Sequence, residues 1–351
     1  MRIVLLGGAG YLGSVASHHL VSLGHHVIVV DGLVYRRGDD PADLLPAAAR
    51  FVPGDLRDRG LLTRVADGAD VVVHLGGIVG EPAGRVDERL TVELNYASPM
   101  IAAEAATAAG VGHFVFFSSC SVYGMHEGTV DEETEPSPLG VYARTKALAE
   151  RRLPDVLGGG TALTCLRLAT VHGVSPRQRL DSVVNAMASR AASTGRIPVN
   201  GGSQRRPLVH VGDVARVLAG VTEQRLSGAW NVGADGENFT IQDIAETVAA
   251  VVPGAVIDRG PERDEADARD YRTSFARLER VLPGVCSTTL KDGVREIADL
   301  VLTGRVTDPA LPQYDNHRGL IAAVTAGALG RWGGADCARF TAEYDAAWST
   351  R

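Results

Sequence analysis

The 351-residue chain lacks three features that define large classes of protein. It has no run of about 18 apolar residues, the least that would cross a bilayer, so we expect no membrane partner. Its four cysteines lie far apart, which argues against a disulfide framework and against a zinc site. It has a net charge of −7 and no basic cluster, so we expect no nucleic-acid partner.

The amino terminus passes directly into an apolar run without a signal peptide, and we therefore expect a cytoplasmic protein. Histidine pairs stand at 18–19 and 25–26, on and just after the first predicted helix. Because they lie away from the strand ends where sites form, we expect no metal. Hydrophobic residues make up 45% of the chain, enough for a large core or two domains.

Short apolar runs alternate with segments of helical composition in the first half of the chain. The runs lie at 2–6, 26–30, 50–53, 70–74, 112–118 and 162–168. This alternation predicts an α/β fold with a doubly wound parallel sheet and helices on both faces. The runs show no polar alternation, as expected for strands that are covered on both sides.

The pattern changes after Leu168, where turn residues become frequent and short strands mix with helices. We predict a nucleotide-binding domain at 1–169 and a smaller mixed α/β substrate-binding lobe at 170–303. The Gly- and Ala-rich segment 304–351 is predicted to be an extension with helices near 318–329 and 336–348, and the sequence assigns no function to it.

The first 13 residues, MRIVLLGGAGYLG, carry a strand and then three glycines at the start of a helix. Gly7 permits a tight turn, Gly10 lets the backbone approach phosphates, and Gly13 lets the helix pack closely on the strand. This arrangement seats a dinucleotide pyrophosphate at a helix N-terminus. The three glycines have the spacing GxxGxxG. Together with the strand and the helix, they predict a Rossmann-type domain.

Asp31 ends the second apolar run, at the position where a carboxylate meets the adenosine ribose. A carboxylate there accepts hydrogen bonds from the 2′-hydroxyl and repels a 2′-phosphate, so it favours NAD over NADP. Arg36 and Arg37 follow closely and would suit a 2′-phosphate, but we interpret them as solvated loop charges. Asp55 either meets the adenine end or caps a helix.

Two segments carry residues suited to proton transfer. The first, FVFFSSCSVYG, leaves the fifth predicted strand with Ser118, Ser119 and Ser121. In the second, VYARTKALAE, Tyr142 and Lys146 are four residues apart on one helix face. A neighbouring ammonium and the positive nicotinamide ring lower the pKa of a tyrosine, which can then take a hydroxyl proton. A serine hydroxyl beside the same oxygen would orient it.

These motifs resemble the extended short-chain dehydrogenase/reductase superfamily, in particular its NAD-dependent nucleotide-sugar epimerase/dehydratase branch. The resemblance covers residues 1 to about 303. It is carried in order by GGAGYLG (7–13), Asp31, GDL (54–56), HLGG (74–77), Asn95, SSCSVYG (118–124), YARTK (142–146), LRLATVHG (166–173) and RRPLVHVGDVA (205–215).

The resemblance implies a catalytic triad of Ser119, Tyr142 and Lys146, with Ser121 as the competing serine. It also implies a set of NAD contacts and, by analogy, a homodimer. The NAD contacts are Gly7, Gly10, Tyr11, Leu12, Gly13, Asp31, Asp55, Leu56, Leu75, Gly76, Gly77, Asn95, Ser118, Tyr142 and Lys146.

The same resemblance implies a nucleoside-diphosphate sugar as the substrate. Ser119, Ser121 and Thr170 would contact the sugar. Asn185 and Arg206 would meet the diphosphate, since a guanidinium matches phosphate oxygens. Either Arg269 or Arg272 would bring a further cation to the phosphates; Arg272 is the site we assign, although the sequence does not separate the two.

The chain departs from the 4,6-dehydratases of this branch, which carry Thr-Asp-Glu where this chain has Ser119, Cys120 and Ser121. Without these carboxylates, dehydration is disfavoured. Position 172 is His where the branch usually has Tyr, and this residue would tune or simply fill the sugar pocket.

We therefore predict an NAD-dependent nucleoside-diphosphate-sugar epimerase that acts at C4 through a transient 4-keto intermediate. The alternative is an NAD(P)-dependent sugar 4-ketoreductase or dehydrogenase with net redox change. A non-catalytic dinucleotide sensor on the same fold is disfavoured, because such proteins commonly lose the Tyr or the Lys. The sequence does not identify the base or the sugar.

Overall fold

The computed structural model describes residues 1–35, 40–260, 270–327, 329 and 334–349. Arg36, Arg37 and Arg269 lie outside the described residues. The strands are β1 Arg2–Leu6, β2 His26–Asp31, β3 Arg50–Pro53, β4 Val71–His74, β5 His113–Ser119, β6 Met125–Val130, β7 Ala162–Leu168, β8 Thr170–His172, β9 Arg196–Val199, β10 Arg205–His210, β11 Gly228–Val232, β12 Asn238–Thr240, β13 Val256–Arg259 and β14 Asp270–Thr273.

The described residues also form thirteen α-helices, and no described helix is long and apolar enough to cross a bilayer. They are α1 Tyr11–Ser22, α2 Arg59–Ala66, α3 Glu81–Gly84, α4 Glu88–Val92, α5 Ser98–Ala108, α6 Val141–Leu157, α7 Val183–Thr194, α8 Val211–Glu223, α9 Ile241–Val251, α10 Ala276–Val281, α11 Leu290–Leu302, α12 Asn316–Thr325 and α13 Ala335–Trp348.

The central sheet has seven strands in the order β11-β7-β5-β4-β1-β2-β3, and every pair is parallel. Its strands are apolar on both sides: along β1, Val4 and Leu6 pack with α2, α5, α6 and α13, whereas Ile3 and Leu5 pack with α1 and α8. Two covered faces explain why the strands read as continuous apolar runs. The predicted Rossmann-type α/β fold is confirmed.

The second half of the chain forms small sheets and a helical cluster beside this domain. Three short sheets among the described residues have the strand orders β12-β10-β8, β13-β9 and β14-β6. Helices α7, α9 and α11 bury a separate apolar cluster. Strand β11, which the sequence analysis grouped with the C-terminal lobe, instead extends the central sheet by pairing with β7. Its inward residues Trp230 and Val232 join the core of the first domain.

The C-terminal extension packs back onto the first domain. Helix α13 covers one face, where Arg59 pairs with Asp336 at 2.7 Å and Tyr96 Oη donates to Glu343 at 3.0 Å. Helix α12 lies against α3, and its Leu320 is fully buried there. The extension therefore reaches the edge of the sheet at which the parallel strands end.

Candidate active site

A cavity of about 530 Å³ lies at the carboxyl ends of the parallel strands. Open α/β sheets bind ligands at this edge, because the loops after the strands diverge there. The cavity is lined by the glycine loop, by the segments after β2, β3 and β4, by β5 and α6, and by residues from 168–183. Arg206 and the start of α12 complete the wall.

The glycine loop brings two backbone segments into contact. Gly7 has φ +85°, and a Cβ on it would lie 2.4 Å from the Cα of Gly76, so this position has no room for a side chain. A Cβ on Gly13 would lie 2.4 Å from the Cα of Gly8, which lets α1 pack on the loop. Gly10 is the N-cap of α1, and no described side chain caps that helix. The N-terminal end of α1 is thus suited to receive phosphate oxygens.

Asp31 is fixed at the wall of the same cavity. Its Oδ2 accepts a hydrogen bond from Ala9 N at 3.0 Å, and its Oδ1 accepts one from Leu33 N at 2.8 Å. Burial raises the pKa of Asp31, while these backbone donors and the charge of Arg177 act in the opposite direction. The carboxylate is therefore held in one orientation beside the glycine loop.

The carboxylate of Asp55 is committed to a neighbouring cation. Its two oxygens accept bonds from Arg57 Nε at 2.9 Å and Arg57 Nη2 at 2.7 Å, and Arg57 also bonds Glu93 at 2.6 Å. The N-cap of α2 is Asp58 and not Asp55. Asp55, Leu56 and Arg57 all line the cavity, so this ion-pair network forms part of its wall.

The loop after β4 is pinned by Asn95. The Asn95 side chain accepts from Ile78 N and donates to Ile78 O, both at 2.8 Å. Asn95 is fully buried and does not line the cavity, whereas Leu75, Gly76 and Gly77 do. Its observed contacts thus position the loop that faces the cavity.

Ser119, Tyr142 and Lys146 line the cavity on the other side of β4. Lys146 Nζ donates to Phe117 O at 2.8 Å and lies 4.7 Å from the centre of the Phe116 ring. Burial lowers the pKa of Lys146 to about 8. Burial and the nearby Lys146 charge lower the pKa of His74 to about 3, so that imidazole is neutral at pH 7.

A carboxylate at the start of α3 holds the start of α6. Ala143 N donates to Glu81 Oε1 at 3.1 Å. The N-cap residue Gly140 leaves room for that carboxylate, because a Cβ there would lie 2.0 Å from Glu81 Oε2. A negative charge at a helix N-terminus is stabilising. Glu81 therefore positions the helix that carries Tyr142, and the sequence analysis did not find it.

Behind the serine-rich strand end lies a buried ion pair. Glu150 accepts a bond from Arg167 Nη2 at 2.7 Å, and the hydroxyl of Ser118 donates to the same carboxylate. Arg167 Nη1 also donates to Tyr123 Oη at 2.9 Å. Ser118 lines the cavity, but its hydroxyl points to Glu150, so the observed contact ties β5 to α6.

Comparison with known proteins identifies the family. A profile of the NAD dependent epimerase/dehydratase family matches residues 3–233. The chain belongs to this family. Its cofactor is NAD, and the glycine loop, the uncapped start of α1 and the fixed carboxylate of Asp31 fit that group.

Individual members are similar over most of their length. A UDP-glucose 4-epimerase of Azospirillum brasilense is 29% identical over 287 residues, which are 74% of this chain and 81% of that protein. A dTDP-glucose 4,6-dehydratase of Streptomyces niveus is 29% identical over 289 residues, 78% of this chain and 84% of that protein. The UDP-glucose 4-epimerase of Thermus thermophilus, solved with NAD, is 26% identical with a TM-score of 0.73. That superposition covers 98% of its chain but 85% of this one, so part of this chain has no counterpart there.

The two positions at which the resemblance to the 4,6-dehydratases would place carboxylates are Cys120 and Ser121 in this chain. Cys120 is buried with its Sγ 3.2 Å from Arg167 O, and Ser121 is buried outside the cavity lining with no described partner for its hydroxyl. Among the described residues that line the cavity, the acidic ones are Asp31, Asp55 and Asp181, and none of them lies on β5 or α6.

The residues predicted to bind the substrate divide into two groups. Thr170 on β8 and Arg206 on β10 line the cavity. Asn185 does not: it is buried, its Oδ1 accepts from Gly173 N at 3.1 Å, and its Nδ2 donates to Arg179 O at 2.8 Å. Asn185 thus orders a loop that itself forms the wall.

Two further positions also lie outside the cavity lining. Arg272 is exposed on β14. His172 is buried against Gly293 of α11, where burial lowers its pKa to about 3. Because His172 packs against α11 and the His210 ring and does not line the cavity, neither of the two alternatives for it, tuning or filling the sugar pocket, is supported.

The sequence analysis did not predict several residues that line the cavity wall. Arg177, Arg179 and Asp181 come from the loop before α7, and Arg177 lies 4.8 Å from the centre of the Tyr35 ring. Asn316 begins α12 in the C-terminal extension. Basic residues in the segment PRQR were a signal for this loop, but nothing in the sequence joins residue 316 to the glycine loop.

Proposed function

We propose that this enzyme is a nucleoside-diphosphate-sugar epimerase that inverts C4 through a transient 4-keto intermediate. The observation that carries the proposal is the composition of the cavity beyond β4. Ser119, Tyr142 and Lys146 line it, and no described carboxylate of β5 or α6 lines the cavity beside them. Reversible oxidation at one carbon needs a group that moves one proton, whereas loss of water needs an additional acid and base.

Tyr142 is the proposed acid and base. Its hydroxyl oxygen would accept the proton of the substrate C4 hydroxyl and later return it. Lys146, whose pKa of about 8 leaves it mostly charged at neutral pH, would lower the pKa of the neighbouring phenol. The bond from Lys146 Nζ to Phe117 O holds the ammonium in place. Ser119 would donate to the same substrate oxygen and orient it.

The bound nicotinamide would supply reversible hydride acceptance at C4. Asp31 would bind the adenosine ribose, and the start of α1 would bind the pyrophosphate. The pocket side of Thr170 would contact the sugar, and Arg206 would pair with the diphosphate, since both residues line the cavity. A homodimer remains our prediction, which light scattering of the purified protein would check.

The test is product analysis. The purified enzyme is incubated with a panel of UDP- and dTDP-hexoses, and products are identified by mass and by NMR. The proposal predicts a product of equal mass with inverted C4 and no net change in NADH. Loss of one water would contradict it in favour of dehydration. A gain of two hydrogens with consumption of NADH or NADPH would contradict it in favour of the 4-ketoreductase.

A further inference from the structure

The C-terminal extension builds part of the cavity wall. Asn316 and His317, at the start of α12, line the cavity together with the glycine loop. Leu320, one turn further along, is fully buried against Ile78 and Ala83. On the other side of α12, a Cβ at Gly319 would lie 3.2 Å from Cδ1 of Tyr35. Helix α12 therefore bridges the segment that follows β2 and the segment that follows β4.

This position identifies which half of the cofactor α12 faces. The segment after β2 follows Asp31, and in the sheet order β5-β4-β1-β2-β3 it lies on the far side of β1 from β5, the strand that carries Ser119. In a dinucleotide site of this fold, the adenosine half lies beside the carboxylate that ends β2. Helix α12 thus closes the adenosine end of the cavity, away from Lys146.

Asn316 carries a polar atom that the described protein leaves unused. The residue is 4% exposed, and its Oδ1 is buried without a hydrogen-bond partner among the described residues. Its backbone N–H, in contrast, donates to Asp181 Oδ2 at 3.0 Å, which fixes the residue in place. An orphaned buried carbonyl costs about 1–3 kcal/mol, and Asn316 lines the cavity, so its side-chain amide is a candidate for a hydrogen bond that the described residues do not supply.

We propose that Asn316 binds the adenosine half of NAD through its side-chain amide, and that α12 thereby retains the cofactor. The side-chain amide would turn toward the ligand and bond the adenine ring or a ribose hydroxyl. The proposal rests on NAD lying in this cavity, but it does not depend on which sugar reaction the enzyme catalyses.

The test measures how fast bound NAD exchanges with isotope-labelled NAD in the purified holoenzyme. Asn316→Ala and Asn316→Leu should each exchange about 3- to 10-fold faster than the unchanged enzyme, because one hydrogen bond to the ligand is lost. In the NAD-free state, Asn316→Leu should melt at the same or a higher temperature, since it keeps the volume and removes the orphaned oxygen. Ile321→Ala, an exposed position on α12, is the matched control and should exchange at the original rate.

Displacement of NAD by ADP-ribose distinguishes binding at the adenosine end of the cavity from binding at the sugar-nucleotide site. Asn316→Leu should weaken ADP-ribose binding by the same factor as NAD binding and leave the affinity for the sugar nucleotide unchanged. Unchanged exchange in both Asn316 variants would overturn the proposal, as would equally fast exchange in Ile321→Ala. A loss confined to the sugar nucleotide would also overturn it, because Asn316 would then belong to the substrate site. None of these readouts depends on product identity, so failure of C4 epimerisation would be recognised separately.

Discussion

At one end of the cavity Lys146 and Tyr142 lie on a single helix that packs against the central sheet; at the other, Asp31 faces a wall that includes Asn316 from the C-terminal extension. The first end is part of the core, and its side chains are held by α6, β5 and the Glu150–Arg167 pair. The second end is covered by α12, which lies near the end of the chain and packs back onto the first domain.

This difference indicates that the two ends of the cavity have different roles, one in catalysis and one in cofactor binding. A catalytic group must stay in one place during the reaction, and a buried ammonium bonded to a backbone carbonyl meets that need. A cofactor must enter once and then remain, and α12, which is docked across two segments, covers that end of the cavity. Changes at the first end should therefore alter turnover, and changes at the second end should alter cofactor binding.

The largest expected effect is at Tyr142. Tyr142→Phe keeps the ring and removes the proton acceptor, so turnover should fall by about 10²–10⁴-fold while NAD remains bound. Turnover and the NAD content of the purified protein are both measured. Tyr344→Phe on α13, outside the cavity lining, is the matched control and should keep its activity. Near-normal turnover in Tyr142→Phe would remove Tyr142 from the mechanism.

The second effect concerns the stability cost of Lys146. Burial lowers its pKa from 10.5 to about 8, so between these values the unfolded chain binds a proton that the folded chain does not. Stability from this group therefore rises with pH over that window, and at neutral pH the charged group costs about 3 kcal/mol or less. Lys146→Met should raise the free energy of unfolding at neutral pH, and this advantage should shrink towards pH 10.5.

Urea unfolding of both NAD-free proteins across that pH window measures the difference. The hydrogen bond lost at Phe117 O lowers the advantage by about 1 kcal/mol, but it does not create the pH dependence. A difference in unfolding free energy that stays constant with pH would contradict the lowered pKa. Activity should be lost in the same variant, which would show that the catalytic end trades stability for function.

The third effect is at the adenosine end. Asp31→Asn keeps an oxygen that can accept from Leu33 N but removes the charge that repels a 2′-phosphate. The preference for NAD over NADP should fall by about tenfold, which corresponds to about 1.4 kcal/mol of charge repulsion. Titration of the NAD-free protein with each cofactor provides the ratio, and turnover at saturating NAD should change little. An unchanged ratio would mean that other groups set cofactor choice.

The smallest expected effect is at Glu81, which touches α6 and not the substrate. Glu81→Ala removes the acceptor for Ala143 N and should lower kcat by about 3- to 10-fold, because the helix that carries Tyr142 loses its cap. Glu81→Gln keeps an acceptor oxygen and should restore most of the rate. KM for the sugar nucleotide and NAD affinity should stay the same in both variants. Equal losses in the two variants would show that Glu81 does not act through this hydrogen bond.

The parts of the cavity that sequence patterns predict are those built by local rules. The glycine loop, Asp31 and Ser119 each follow an apolar strand, and parallel strands end at one edge, so the structure brings them to one cavity. Tyr142 and Lys146 share a helix face by their spacing alone.

Other features depend on tertiary contacts that no local pattern encodes. Glu81 bonds α6 from the start of α3, and Asn316, near the end of the chain, lines the same cavity as the glycine loop. Asn185 was predicted to meet a diphosphate, but its amide bonds the backbone of neighbouring loops. Motif spacing locates a polar residue near a site, whereas the packing of loops decides whether its side chain faces the cavity.

The most direct test of the account is the fate of hydrogen during turnover in heavy water. The reaction with a UDP- or dTDP-hexose is run in D₂O, and the product is examined by mass spectrometry and NMR. The account predicts inversion at C4 with the original hydrogen retained there and no deuterium on any carbon, since Tyr142 moves only the hydroxyl proton. Deuterium at C3, C4 or C5, or loss of one water from the product, would contradict it.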